Sequence, residues 1–427
     1  MNKKKIIFGF LLILIFLFSL FWIIVLKCKL SGIKYAIRSI SNQIKVYMYS
    51  DELVNSSERV LDTFDQVNLS WDKGEIVHNW NYCNGIMMLA FLKTGHKRFV
   101  ERFYNDNIYD DGTVNNRKNR HNFYVRGALD DILPARTLFY FLDDSPHAGK
   151  FRANIQWIYH NELSQQPVLE NLGGNFVHKI NNRAWVKYPF GLDGIYMSLP
   201  FWIEYEHYLY GTTTKKTTDE IFKRLDWLYK NLRTNNGLYY HGCQSDGKSN
   251  NGYVWTRGLG WFAMGQVDVL KLYPEGEKKE ILKQHLKELF DSMIAEQDKE
   301  TGLWYNMLYP KDKNLGCNKL ETSGSSMMAY AMMSAYLNDL VTDKKYAFAG
   351  LKAFNGVVEN NLHNSFLHGH QLDNIYKVAI IYDGEDAKRY YDCSLYVTDD
   401  PKGSAPLILA STLVGKTIVK LYLKEYR

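Results

Sequence analysis

The chain has 427 residues, 46% of them hydrophobic and 15% aromatic, which is enough to bury one large core or two ordinary ones. Its formal net charge is +6, and lysines before residue 30 supply five of these charges in a stretch without acidic residues. The remainder of the chain is therefore close to neutral, which excludes a nucleic-acid-binding protein that relies on a basic surface.

The first element is an apolar run of 21 residues from Ile6 to Leu26, preceded by three lysines. About 20 apolar residues span a bilayer as a helix, and a cleavable signal peptide usually has a shorter run followed by small residues. No such cleavage site follows here. Lipidation at Cys28 is disfavoured because Lys27 stands where a small residue is needed. We predict an uncleaved signal anchor in residues 1–30 and a single-pass protein of the cell membrane, with the remaining chain outside the cytoplasm.

The rest of the chain shows mainly helical patterns. Residues 31–70 are polar and mixed, and they predict a stalk with a first amphipathic helix near 52–67. Further helical patterns lie at 77–93, 130–142, 149–162, 195–210, 218–232, 258–272, 277–296, 323–337, 344–360 and 405–424. Strand-like alternation is confined to 378–382 and 390–397.

One type of connection between helices recurs. Residues 235–240 (NNGLYY) and 300–305 (ETGLWY) both place a glycine turn and an aromatic pair after a helix, 65 residues apart, and 109–112 is a fainter copy. A ring of helical hairpins produces such a repeat, since no hairpin buries its apolar face alone. The chain from 71 to 427 would hold about six such units. No low-complexity linker divides it, so we predict one all-α domain.

The stretch from Tyr188 to Trp202 (YPFGLDGIYMSLPFW) places a single carboxylate, Asp193, at a glycine-flanked bend before an apolar helix. The neighbouring aromatic rings would partly remove water from this carboxylate, and desolvation favours the protonated form that a general acid needs. Aspartate before an apolar run is also a common helix N-cap. From spacing alone, both interpretations stand.

Aromatic and polar side chains are concentrated in the predicted connections between helices. They include Trp80, Tyr82, His178, Trp185, Tyr188, Tyr240, His241, Trp255, Arg257 and Trp261. Aromatic faces and fixed polar groups suit a carbohydrate cleft, although such rings are often simply part of a core. Arg257 can offer paired donors to a substrate carboxylate, or it can form a structural ion pair.

Several short motifs together resemble a known family. Leu192 to Met197 (LDGIYM) and Trp255 to Trp261 (WTRGLGW) match the LDGxYM and WxRGxGW motifs of glycoside hydrolase family 105, the unsaturated rhamnogalacturonyl hydrolases, which are related to family 88. Weaker matches lie at 129–132 and 400–410. The resemblance extends from about Ser70 to the C-terminus, and it implies an (α/α)6 barrel of six helical hairpins with its active site at one end.

The resemblance also implies the reaction. Such an enzyme removes an unsaturated uronic acid, which carries a C4=C5 double bond, from the non-reducing end of lyase-generated pectin (rhamnogalacturonan) oligosaccharides by hydrating that bond. Asp193 matches the acid and base of the family. Asp130 matches a second aspartate that positions the sugar and keeps its partner protonated by like-charge repulsion, although Asp131 could take that place. The residues that match the substrate pocket are His178, His241, Trp255, Arg257 and Trp261.

The sequence departs from the family pattern just before Asp193. Tyr188-Pro189 leads quickly into Phe190-Gly191, and extra residues lie between Lys179 and Tyr188. The identity of the accepted sugar therefore stays open. Two other classes remain: another (α/α)6 enzyme, such as an inverting glycosidase or a sugar epimerase, and a membrane-tethered sugar-binding protein without catalysis.

Metal and redox chemistry have little support in the sequence. The cysteines at 28, 83, 243, 317 and 393 are widely spaced, and their odd number gives no complete disulfide set. His368 and His370 form the closest histidine pair but have no evident companion ligand, and no nucleotide-binding glycine loop is present. We predict no metal and no cofactor, since the hydration of an enol ether needs only acid, base and water.

Overall fold

The structure is a computed structural model that describes residues 27, 29–55, 80–114, 127–180, 186–310, 316–365, 369–377 and 381–423. The predicted signal anchor at 6–26 lies outside these residues. So do Cys28, Trp185, His368 and most of the helix predicted near 52–67.

Helices make up most of the described chain. The α-helices are α1 (29–55), α2 (Tyr82–Lys93), α3 (Lys97–Asn107), α4 (Ala148–Ile158), α5 (Asp193–Tyr210), α6 (Lys215–Asn231), α7 (Thr256–Leu272), α8 (Glu277–Glu296), α9 (Thr322–Leu337), α10 (Lys344–Asn360) and α11 (Pro401–Leu423). The helices predicted from 195 onward agree with these bounds to within a few residues. The pattern at 130–142 forms 3₁₀ helices instead, at Leu129–Asp131 and Leu133–Phe141, and α3 was not predicted.

Six helices form a closed inner ring. Around it, α2 packs against the 3₁₀ helix Leu133–Phe141, which packs against α5, and the ring continues through α7, α9 and α11 back to α2. Most of the outer helices pack behind them: α3 behind α2, α4 behind the 3₁₀ helix, α8 behind α7 with α6 alongside, and α10 behind α9 and α11. This is the arrangement of an (α/α)6 barrel, as predicted.

The sixth outer position is filled by α1. Asn355 on α10 donates hydrogen bonds from its side chain to Ser39 Oγ at 2.8 Å, and Asn42 donates to Asn355 Oδ1 at 3.2 Å. The hydroxyl of Tyr49 lies 2.8 Å from Ser404 Oγ at the start of α11. Residues 31–55, which the sequence suggested were part of a stalk, are thus an outer helix of the barrel.

Burial explains why the inner and outer helices differ in sequence. Every residue of α7 from Thr256 to Leu270 is buried, because α7 contacts the ring on two sides and α8 behind it. By contrast, α8 buries one face, which carries Leu282, Leu286 and Leu289 at helical spacing. Its other face is rich in lysine and glutamate, as expected for an outer helix.

Strands in the described chain are short and lie in the connections. They are β1 (Val168–Leu169), β2 (Asn175–Phe176), β3 (Phe190–Gly191), β4 (Gly242–Cys243), β5 (Val254–Trp255), β6 (Trp304–Tyr305), β7 (Met307–Tyr309), β8 (Leu320–Glu321), β9 (Leu362–Ser365), β10 (Gly369–Leu372), β11 (Ile375–Tyr376) and β12 (Tyr396–Val397). They pair antiparallel as β1–β2, β3–β4, β5–β7, β6–β8, β9–β10 and β11–β12. Of the strand predicted at 390–397 only β12 forms, because a 3₁₀ helix occupies Gly384–Tyr391.

The repeated glycine turn is present three times. Gly112, Gly237 and Gly302 have φ angles of +85°, +84° and +79°, a region that other residues rarely adopt. Each turn is closed by a backbone hydrogen bond of similar length, 2.7 Å, 2.8 Å and 2.9 Å. The predicted repeat of helix, glycine turn and aromatic loop is therefore confirmed.

Helix α11 is long and apolar enough, over Pro401–Tyr422, to cross a membrane by length and composition. However, 67% of that window is buried inside the protein, and α11 packs between α9 and α2 in the inner ring. Its apolar sequence is accounted for by this place in the core.

We predict that Gly324→Ala destabilises the barrel. A Cβ at this position would lie 2.9 Å from the backbone nitrogen of Arg257, so α9 and α7 would have to move apart at their first turns. We expect the free energy of unfolding to fall by about 1–3 kcal/mol, measured by urea denaturation. Gly149→Ala on α4 is the matched control, because no atom lies within 4 Å of its new Cβ. It should be neutral or slightly stabilising, and an equal loss in both variants would contradict the role of close packing.

Candidate active site

The inner helices begin at the same end of the barrel. Lys402 Nζ at the start of α11 lies 3.9 Å from Cys83 Sγ at the start of α2. The first turns of α9 and α7 touch at Gly324 and Arg257. Helix N-termini carry partial positive charge, so this end of the barrel favours carboxylates and other anionic groups.

Asp193 is the first residue of α5 and lies at this end. Leu192 is the N-cap residue, and its side chain makes no capping hydrogen bond. The side chain of Asp193 is only 12% exposed, and its Oδ2 atom lies 3.1 Å from His241 Nε2. Its Oδ1 atom is buried and has no hydrogen-bond partner among the described residues. Asp193 is thus not held as a helix cap, and one of its oxygens remains available for chemistry.

A buried network orients His241. The hydroxyl of Tyr390 lies 2.6 Å from His241 Nδ1 and accepts hydrogen bonds from the Tyr382 backbone N–H at 3.2 Å and the Asn251 side chain at 3.3 Å. Because both lone pairs of the phenol are then used, its own hydrogen points to Nδ1. Neutral His241 therefore carries its hydrogen on Nε2 and donates it to Asp193 Oδ2.

Asp130 forms a second aspartate–histidine contact. Its Oδ1 atom lies 3.0 Å from His178 Nε2, and its Oδ2 atom lies 2.6 Å from Lys179 Nζ. Burial alone would raise the pKa of Asp130, but the charge of Lys179 and the contact with His178 outweigh burial and hold that pKa well below its ordinary value. The carboxylate of Asp130 is therefore ionised, with its charge largely balanced by Lys179.

The two aspartate–histidine pairs are copies of one arrangement. In both, the histidine follows the aspartate by 48 positions. In both, the backbone N–H of the leucine before the aspartate donates to the carbonyl of the histidine at 3.0 Å, from Leu129 to His178 and from Leu192 to His241. Two successive repeats of the barrel thus build the site from equivalent positions.

The pairs also lie next to each other. A Cβ placed on Gly194, the residue after Asp193, would lie 3.1 Å from His178 Nδ1 and 2.8 Å from Leu129 Cδ1. Only glycine allows the start of α5 to approach His178 this closely. The structure therefore brings Asp193, Asp130 and both predicted histidines into one cluster.

Asp131 differs from Asp130 in its surroundings. Burial, followed by the negative charge of Asp130, raises the pKa of Asp131 well above its ordinary value. Its backbone carbonyl accepts a hydrogen bond of 2.8 Å from the indole of Trp80. Because His178 and Lys179 both contact Asp130, the geometry favours Asp130 as the second acidic residue of the site.

The motif residues Trp255, Arg257 and Trp261 are all 2% exposed. The indole of Trp255 donates to Asn306 Oδ1 at 2.8 Å, and its ring lies 4.8 Å from that of His241. The guanidinium of Arg257 donates to Ser323 Oγ at 3.2 Å and to the carbonyl of Tyr376. Arg257 on α7 thus links this helix to α9 and β11. Its hydrogen-bond partners here are a hydroxyl and a carbonyl, and not the carboxylate of a structural ion pair.

Three residues of the cluster were not recognised in the sequence as part of the site. Lys179 directly follows His178, a predicted site residue, so its position in the sequence could have indicated it. Tyr390 and Asn251 lie far from His241 in the chain, and no local pattern marks them. Within the described part of the chain, no group of three or more His, Cys, Asp or Glu side chains is suited to a metal ion.

One disulfide is present that the sequence analysis did not assign. Cys317 and Cys393 form a disulfide that joins β8 to the segment carrying Tyr390, across 76 positions. Cys83 and Cys243 are free thiols. An odd cysteine count excludes the pairing of all five cysteines, but it does not exclude one bond.

The (α/α)6 barrel carries buried carboxylates at one end, and carboxylates are the groups that glycosidases use as acid and base. The chain belongs to glycosyl hydrolase family 88, whose model matches residues 56–418. Family membership makes it a glycosidase. The protein Atu3128 of Agrobacterium fabrum is 30% identical over 234 residues, which cover 50% of this chain and 96% of that relative.

Solved structures share the fold. A family 105 glycoside hydrolase of C. acetobutylicum superposes with a TM-score of 0.68 at 21% identity, covering 86% of this chain and 99% of the other. The unsaturated glucuronyl hydrolase of Bacillus sp. GL1, responsible for glycosaminoglycan degradation, gives a TM-score of 0.56 at 12% identity, with 91% and 97% of the two chains covered. At these identities the similarity shows the fold alone.

We predict that Lys179→Met weakens the fold in a pH-dependent way. The pKa of Asp130 is lower in the folded protein than in the unfolded chain, where it is about 3.9, so its ionised form stabilises the fold above about pH 4 and less as the pH falls further. Without Lys179 this buried charge loses its main partner. We expect the free energy of unfolding at pH 7 to fall by about 1–3 kcal/mol, a range reduced because Lys179 is 28% exposed.

Urea denaturation at about pH 7 and pH 3 measures this effect. The difference between wild type and variant should shrink at the lower pH, where the variant can protonate Asp130. Lys215→Met is the control, because Lys215 is 87% exposed and pairs with Asp219 on the surface. A loss of stability that is the same at both pH values would show that Lys179 does not act through Asp130.

Proposed function

We propose that this protein hydrates the C4=C5 double bond of an unsaturated uronic acid at the non-reducing end of a lyase-generated oligosaccharide. Membership of glycosyl hydrolase family 88 supports this reaction class. The observation that carries the proposal is the buried carboxyl of Asp193, with Oδ2 held by His241 and Oδ1 unpaired among the described residues.

The chemistry needs one group that gives and then takes a proton. Oδ1 of Asp193 in its protonated form transfers a proton to C4 of the sugar. A water molecule adds its oxygen to C5 and gives its surplus proton back to Asp193, so that H and OH are added across the double bond. The resulting hemiketal opens and releases the neighbouring sugar. A single carboxyl acting as acid and then as base suits this sequence of steps.

The neighbouring residues have supporting roles in this proposal. His241 holds Oδ2 and fixes the direction of Oδ1, and Tyr390 fixes the tautomer of His241. Ionised Asp130, held by Lys179 and His178, accepts hydrogen bonds from sugar hydroxyls. Since Lys179 balances the charge of Asp130, like-charge repulsion on Asp193 is weaker than the sequence suggested.

The proposed substrate is an unsaturated galacturonyl oligosaccharide from rhamnogalacturonan. Its support is the match of Leu192 to Met197 and Trp255 to Trp261 to the family 105 motifs. A glycosaminoglycan-derived uronide is the competing substrate. The two are separated by comparing kcat/KM for rhamnogalacturonan and for a glycosaminoglycan, each cut first with its own lyase. A higher value for the second would overturn the substrate assignment and leave the reaction intact.

We predict that Asp193→Asn abolishes turnover but preserves binding. An amide cannot donate a proton to C4, yet it has nearly the same shape and can still accept a hydrogen bond from His241. The loss of enol-ether absorbance in the ultraviolet measures turnover, and we expect a decrease of about 10³-fold or more. Isothermal titration should show substrate affinity within about tenfold of wild type.

The matched control is Asp219→Asn on the outer helix α6, which should keep full activity. If Asp193→Asn retained turnover, the acid would be another residue. If wild type left the absorbance of every lyase-generated uronide unchanged, the hydrolase proposal would fail and a non-catalytic sugar-binding protein would be favoured.

We further propose that residues 6–26 anchor the protein in the cell membrane, with the barrel outside the cytoplasm. The apolar run of 21 residues supports the anchor. The disulfide between Cys317 and Cys393 supports an oxidising compartment, since such bonds are rare in the cytoplasm.

We predict that Cys317 and Cys393 resist alkylation in protein taken from its native membrane until a reductant is added. Mass spectrometry after alkylation in denaturant measures this, with the free thiol of Cys83 as an internal control that reacts in both conditions. Replacing both residues by serine should lower the free energy of unfolding by about 2–4 kcal/mol. Alkylation of the pair without reductant would contradict an oxidising location.

A further inference from the structure

Within the described part of the chain, one face of α1 is apolar and exposed. Leu30, Ile33, Ile37, Ile40, Ile44 and Met48 are between 46% and 62% exposed. Their spacing of three and four residues places them in one stripe along about five turns of the helix. Single exposed apolar residues need no explanation, but a continuous stripe of this length marks an interaction surface.

The opposite face of α1 is the one that contacts the barrel. It carries Ser39, Asn42 and Ser50, which are buried, together with Val46 and Tyr49. The buried face is therefore mixed, with Val46 and Tyr49 beside small polar groups, while the exposed face carries four isoleucines. Packing against the described residues does not account for the stripe, so its apolar character points to a partner beyond them.

The charge on α1 indicates what that partner is. Lys34 and Lys45 are exposed beside the stripe, and Lys27 and Lys29 precede it, whereas Arg38 is paired with Glu359 of α10. No acidic residue occurs before Asp51. An apolar stripe bordered by lysines suits the interface between acyl chains and anionic lipid headgroups.

The position of α1 in the chain agrees with this partner. Helical structure is described from residue 29, only three positions after the apolar run that ends at Leu26. If that run crosses the bilayer, the start of α1 lies at the membrane surface. We propose that the exposed stripe of α1 lies in the headgroup region of a bilayer containing anionic lipids, so that the barrel rests with its side on the membrane.

A second copy of this chain fits the stripe less well. Two stripes packed together would bring Lys34 and Lys45 of one copy near the same basic helix of the other, with no acid before Asp51 to balance them. Like charges beside a helix seam oppose self-association. Anionic headgroups turn the same charges into a favourable contribution.

This arrangement also fixes the direction of the cleft. Gly32 lies near Tyr422 at the end of α11, and Tyr49 lies near Ser404 at its start, so α1 runs antiparallel to α11. With α1 lying along the membrane, the cleft at the start of α11 opens parallel to the bilayer. It would open away from the bilayer if α1 instead continued upright from the anchor.

Photo-crosslinking of the full chain separates these arrangements. Ile44 is replaced by p-benzoylphenylalanine, and the protein is reconstituted in phosphatidylcholine vesicles containing phosphatidylglycerol. Ile44 lies 18 positions after Leu26, so in an upright helix it would stand about 27 Å above the membrane surface. A covalent lipid adduct at this position, detected by mass spectrometry, is the expected result.

A second exposed position serves as the control for this crosslinking experiment. Leu209 at the end of α5, 41% exposed, carries the same crosslinker as a matched control and should give no lipid adduct. The double change Lys34→Glu and Lys45→Glu should reduce the adduct at Ile44 by about fivefold or more. A crosslinked dimer at Ile44 would overturn the proposal in favour of a second copy, and the absence of any adduct would show that the stripe faces water. Enol-ether hydration is measured separately, so failure here leaves the proposed activity untouched.

Discussion

The inner helices run in the same direction, and the contact of α11 with α2 closes them into a ring. One end of the ring therefore collects the N-termini of α5, α7, α9 and α11 together with the connections between hairpins. The partial positive charge of these N-termini favours carboxylates at that end. Asp193 is the first residue of α5, and its side chain lies at this end although it is almost fully buried. The electrostatic environment of the site thus depends on the direction in which the inner helices run.

Asp130 and Asp193 occupy equivalent positions in two repeats but have different charged neighbours. Asp130 and Asp193 share the same histidine contact and the same backbone hydrogen bond before it. Asp130 additionally contacts Lys179, which keeps it ionised and acceptor-only. At the equivalent place after His241 the sequence has Gly242, and Asp193 forms no ion pair with lysine or arginine among the described residues. One difference between repeats therefore gives Asp130 a cationic partner and leaves Asp193 with its histidine, as the proposed division of roles requires.

Much of the fold could be predicted from the sequence, because helical periodicity and the repeat of 65 residues are local signals. The aspartates and histidines were also predicted, through short motifs. The sequence could not show which face of an element meets the core. Trp255, Arg257 and Trp261 of the WTRGLGW motif are buried, as is His241, and their contact with substrate stays a prediction. Helix α1 resembled a stalk because its buried face mixes small polar groups with Val46 and Tyr49, while isoleucines lie on its exposed face. The Cys317–Cys393 pair depends on loops that meet across 76 positions, which no local pattern encodes.

The position of α1 has a consequence for biosynthesis. This helix is made before the rest of the barrel, yet its partners, α10 and α11, are made last. During translation it has no wall to pack against, so Val46 and Tyr49, which the folded barrel buries, stay exposed and favour aggregation until α10 and α11 are made. Closure of the ring by the last two helices joins the two ends of the chain. If translation stops before α11 is complete, the released chain therefore lacks the packing partners of α1 as well as α11 itself.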